Sequence, residues 1–103
     1  MCSTVTPLEY SHMDVLEGET VSLVCNTSAD SMWTYNFDDG LVDYIYWNGH
    51  VDKDRPRLSV NTTASDLHIL IVSSVHLDDS GLYECYSVTG QRSVGYQLSV
   101  ASV

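Results

Sequence analysis

A chain of 103 residues has room for one domain, and its fourteen acidic against four basic side chains give a formal charge of −10. That balance disfavours phosphate backbones and anionic membrane surfaces, whereas a basic partner would be steered in faster. The 44% apolar content argues against disorder, and no apolar run is long enough to span a bilayer.

Residues 1–12 lack the basic end and apolar stretch of a signal peptide. Met1 therefore reads as an added start, with any signal or anchor lying outside this sequence. The ordered core is expected from about residue 13 to residue 101 of a single domain covering 1–103. After the Glu17-Gly18-Glu19 turn, Val21, Leu23 and Cys25 alternate with Ser22 and Val24, the period of a half-buried strand. Trp33 to Phe37 leads into an Asp38-Asp39-Gly40 turn. Tyr44-Ile45-Tyr46-Trp47 is rich in aromatic and β-branched residues, as strands are. Turn residues at Asn48-Gly49 and from Asp52 to Pro56 precede an apolar strand from Leu67 to Val72. One helical turn is expected around His76 to Ser80. Tyr96, Leu98 and Val100 alternate in a last strand after Thr89-Gly90-Gln91. Many short strands at regular spacing make a sandwich or a barrel.

Chemistry-bearing patterns are sparse. Asp38, Asp39 and Asp43, and separately Asp52 and Asp54, lack EF-hand spacing and suit turns. His12, His50, His68 and His76 are too scattered for zinc, so no metal or cofactor is expected. No nucleophile elbow or Cys–His pair is present, which argues against an enzyme. Asn26-Thr27-Ser28 and Asn61-Thr62-Thr63 fit the N-glycosylation acceptor, making Asn26 and Asn61 candidate glycan sites in a secretory-pathway protein.

The most specific segment is Asp79-Ser80-Gly81-Leu82-Tyr83-Glu84-Cys85, preceded by Leu70-x-Val72-x-x-Val75. A Tyr two residues before a Cys can bury its ring and return its hydroxyl to the upstream backbone. With Cys25 in an earlier strand, the pattern resembles the immunoglobulin superfamily, from about Val15 to Val100. The resemblance implies an all-β, two-sheet Greek-key sandwich, variable-type (V-set) with intermediate-type (I-set) as the alternative. It implies one inter-sheet disulfide, Cys25–Cys85, worth roughly 4 kcal/mol by loop closure. It implies a core of Leu23, Trp33, Leu70 and Tyr83, with Trp33 preferred over Trp47 as the core tryptophan. It also implies a salt bridge between Arg57 and Asp79. Cys2 is left without a partner in this sequence.

A finer likeness links Trp33-Thr34-Tyr35-Asn36-Phe37-Asp38 and Tyr46-Trp47-Asn48-Gly49 to the membrane-distal domains of SLAM-type lymphocyte receptors or viral homologues of them. Those domains bind related domains on facing cells through the front sheet of strands G, F, C and C′. Strand parity, counted from an inward Trp33, Tyr83 and Cys85, points Thr34, Asn36, Glu84, Tyr86, Val88 and Gln97 outward. Tyr46 is expected outward and Ile45 inward. Tyr44 is ambiguous at a kink, and Trp47 lies near the edge. These residues are the candidate partner-binding set, since Tyr and Trp are frequent interface anchors. The expected partner is a protein on a facing cell or a host receptor, with a homodimer open, and with no nucleic acid and no membrane insertion by this domain. The competing functions are an adhesion or signalling receptor, a secreted or virus-encoded decoy, and a structural spacer. All three place the domain outside the cell.

Overall fold

The computed structural model describes residues 10–26, 31–47, 49–64, 67–87 and 92–103. Nine strands follow in chain order: β1 (Tyr10–Leu16), β2 (Val21–Asn26), β3 (Ser31–Asn36), β4 (Val42–Trp47), β5 (His50–Val51), β6 (Leu58–Ala64), β7 (Leu67–Val72), β8 (Gly81–Ser87) and β9 (Arg92–Ala101). A 3-10 turn, Leu77–Asp79, precedes β8. The strands form a six-stranded sheet in the order β1-β9-β8-β3-β4-β5 and a three-stranded sheet in the order β2-β7-β6. β1 runs parallel to β9, while the other described pairs are antiparallel.

Alternation explains the layering. On β2, Val21, Leu23 and Cys25 are buried while Ser22 and Val24 are exposed, and on β7 Leu70 and Val72 are buried. Facing them are Trp33 and Tyr35 of β3, Ile45 of β4, Tyr83 and Cys85 of β8, and Leu98 of β9. Cys25 and Cys85 join across this core with their Cα atoms 6.4 Å apart, tying the two sheets together. Trp33 is the fully buried tryptophan, whereas Trp47 is exposed. Leu23, Leu70 and Tyr83 complete the expected core.

The motif that opens β8 closes one end of the sandwich. The Tyr83 hydroxyl donates to the Asp79 carbonyl at 2.7 Å, the tyrosine corner. Arg57 grips the Asp79 carboxylate with both ends of its guanidinium, Nη2 donating to Oδ1 at 3.2 Å and Nη1 to Oδ2. The His76 backbone N–H adds a bond of 2.7 Å to the same carboxylate. Burial alone would raise the Asp79 carboxyl, but the Arg57 and His76 bonds outweigh it and hold the group below the usual carboxylate range. Burial likewise pushes the Tyr83 phenol up.

One strand departs from simple parity. Trp33 pairs with Tyr46 and Thr34 with Tyr44, so β4 carries one extra residue, Ile45, opposite the Trp33–Thr34 step. Such a bulge turns a strand without ending its pairing. Tyr46 therefore shares the inward side with Trp33 and packs partly buried against the core, which corrects its expected outward placement. Tyr44 is turned outward opposite Thr34. Trp47, one residue beyond the inward Tyr46, also faces out.

Candidate recognition surface

The outer face of the six-stranded sheet has a closed centre and an open side. At the centre lie Thr34 of β3 and Glu84 of β8, which are opposite each other in the register. Parity places both on this face, yet Thr34 is 1% exposed and Glu84 3%. The cover comes from the sheet itself. Tyr10 of β1 and Glu84 of β8 both pair with Gly95 of β9, so a residue without a side chain stands between them. Across that gap the Tyr10 hydroxyl donates to Glu84 Oε2 at 3.0 Å, and Tyr86 donates to Oε1 at 3.0 Å. Thr34 Oγ1 donates to the Glu84 carbonyl at 3.5 Å, and Asn36 Nδ2 to the Leu82 carbonyl at 3.3 Å. Asn36, Tyr86 and Gln97 are half-buried around this network. Thr34 and Glu84 thus build the platform and do not present side chains on its surface.

The open side is β4. Tyr44 is 61% and Trp47 62% exposed, and Val42, two residues before Tyr44, is exposed on the same side. Leu41 and Phe37 in the adjoining β3–β4 hairpin are exposed too. Sequence reading missed Val42, although its period-2 spacing from Tyr44 was the available signal. It also missed half-buried Met32, which pairs with Tyr86, and Tyr10. Val88 lies outside the described residues, as do Cys2 and the Thr89-Gly90-Gln91 turn.

Charge is unevenly spent around this side. Arg55, not singled out by sequence, donates from Nη2 to Asp43 Oδ2 at 3.0 Å and sits 3.9 Å from Asp52. Its guanidinium lies over the Tyr35 ring, 5.1 Å from the centroid. Asp43 and Asp52 therefore serve an arginine of the chain itself. Asp38, Asp39 and Asp54 stay exposed nearby. Among the described residues no group of three His, Cys, Asp or Glu side chains could hold a metal ion, and no helix is long and apolar enough to cross a membrane.

The candidate glycan sites fall on the other sheet. Asn61 is exposed on β6. Asn26 ends β2, and its side chain lies outside the described residues.

No protein-family model and no curated protein sequence matches this chain. Solved structures do. The first immunoglobulin domain of the mouse polymeric immunoglobulin receptor superimposes with a TM-score of 0.76 over 90% of this chain and 91% of that one, at 20% identity. A chicken TCR gives 0.79 over 89% of this chain and 48% of its own, at 18% identity. The first immunoglobulin domain of ZIG-8, solved as a homodimer, gives 0.70 over 98% and 87%, at 18% identity. The fold is an immunoglobulin-like two-sheet sandwich with one inter-sheet disulfide. Disulfides form and persist in oxidising compartments such as the extracellular space.

Proposed function

We propose that this chain is a variable-type extracellular recognition domain that binds another protein through the outer face of the six-stranded sheet, with β4 at the centre of contact. The observation that carries the reading is the exposure of Val42, Tyr44 and Trp47 together along β4. Large, rigid aromatic side chains with a polar handle are the residues most often found as interface anchors. Grouped exposed apolar side chains mark binding surfaces more often than scattered ones. The V-set assignment draws support from nine strands, with β4 and β5 extending the sheet that holds β8 and β9.

The reading extends to a cell-surface immune or adhesion receptor of SLAM type whose partner is itself an immunoglobulin-like domain. A similar fold offers a precedent, since the first immunoglobulin domain of ZIG-8 was solved as a homodimer. A glycan on Asn61 would project from the three-stranded sheet and leave β4 open. A spacer with no face of its own would have no use for an exposed Tyr44 and Trp47.

The test is binding of the soluble domain to leukocytes with Tyr44→Ala and Trp47→Ala combined. The variant should keep its circular dichroism and lose binding by at least about tenfold, the scale of a hot-spot pair. Unchanged binding by a folded variant would sink the reading.

A further inference from the structure

The exposed side of β4 is apolar at its centre and acidic at its margin. Tyr44 and Trp47 line a groove of about 660 Å³ together with His50, Asp52, Lys53 and Asp54. Asp43 also lines it, and of these three carboxylates Asp54 is the exposed one. Two of the chain's four basic residues are already engaged, Arg55 with Asp43 and Asp52, and Arg57 with Asp79. Lys53 is the exposed cation among the described residues of the groove. The chain as a whole carries −10.

This distribution separates two occupants. A second copy docking by a two-fold axis sets the same patch against itself. The acidic margin of the patch would then face the acidic margin of the second copy, with a net charge of −10 on each molecule and little cation to answer it. A basic protein meets no such penalty. Its cations gain from the acidic margin and from the faces of exposed Tyr and Trp rings, which attract them through their quadrupoles. The chain uses the same combination internally, with Arg55 over Tyr35 and bonded to Asp43.

We propose that the partner on this face is a protein whose contact surface carries basic side chains around an apolar centre, one of them lying against Tyr44 and Trp47. The inference rests on the reading of this sheet as the recognition face and adds the chemistry of what it recognises. The partner's attraction is then a margin effect that salt weakens, layered on an apolar contact that salt spares.

The experiment titrates the isotopically labelled domain with N-acetyl-arginine amide and with its neutral isostere, N-acetyl-citrulline amide, at low salt. The Trp47 indole N–H and the Tyr44 amide should shift with the arginine compound, at an apparent affinity about fivefold above that of citrulline. Asp54→Asn should weaken the preference, and salt of about 0.5 M should reduce it to less than about twofold. Equal responses to the two compounds, or none at Trp47, would overturn the inference. So would a dilution series showing a dimer built through Tyr44 and Trp47. The two claims fail separately. If the Tyr44→Ala, Trp47→Ala variant loses cell binding while arginine and citrulline act alike, the face stands and its basic partner falls. If that variant keeps cell binding, the face itself is wrong.

Discussion

The ring of Tyr35 occupies the space that a Cβ on Gly81 would need. Its hydroxyl oxygen lies 2.5 Å from that position, and Cζ and Cε1 lie 2.7 Å away. Gly81 also holds φ at +148°, where L side chains are rarely found. The Tyr35 hydroxyl in turn donates to the Ser80 carbonyl, so β3 and the entry of β8 are joined at this point.

Gly81→Ala should therefore cost about 3 kcal/mol or more, combining backbone strain with a steric clash. Urea titration measures it. Combining Gly81→Ala with Tyr35→Leu should cost about 1–2 kcal/mol less than the sum of the single changes, because the clash is shared. Strict additivity would contradict the contact.

Asp79 gives the domain an acid-sensitive joint. Its folded carboxyl sits below the ordinary value of 3.8. A depressed carboxyl stabilises the fold above the unfolded value and loses that contribution as pH falls through the folded one. Stability should thus fall below about pH 4, and Asp79→Asn should flatten that part of the profile while lowering the plateau at neutral pH. Thermal melts between pH 2 and 7 check both limbs.

Reduction of Cys25–Cys85, or its replacement by a pair of alanines, should cost roughly 4 kcal/mol from lost loop closure. For a domain of this size that is a drop of roughly 15–30 °C in Tm. Calorimetry with and without reductant is the measurement, and a drop of a few degrees would show that the core holds the sheets together unaided.

Tyr10→Phe removes one donor from the buried Glu84 carboxylate and should cost about 1–2 kcal/mol. The effect should be local, with faster hydrogen exchange in β1 and its partner amides on β9 and little change in β7. Uniformly faster exchange would mean that Tyr10 supports the whole fold.

The legible part of this protein was what short spacing encodes. Cys25 in its alternating strand, the segment from Asp79 to Cys85 and the period-2 alternation of Leu23 and Leu70 read directly, because a strand's period decides which neighbours share a face. Trp33 as the core tryptophan came through the family resemblance. Arg57 with Asp79 also came through the family resemblance, and the two side chains form a salt bridge. Two features were not legible. The bulge at Ile45 shifts Tyr46 inward, and register shifts leave no mark in composition. The burial of Glu84 depends on Tyr10 reaching across Gly95 from a strand that pairs parallel at the far end of the chain. Parity gives the direction of a side chain and says nothing of what lies over it.

The central claim is that the β4 side of the six-stranded sheet is where this domain meets its partner. A photo-reactive phenylalanine analogue placed at position 44, and separately at exposed position 59 on β6, tests it on intact cells. Position 44 should give a covalent adduct to a cell-surface protein, and position 59 should give none. An adduct from position 59 alone would place recognition on the three-stranded sheet and contradict it.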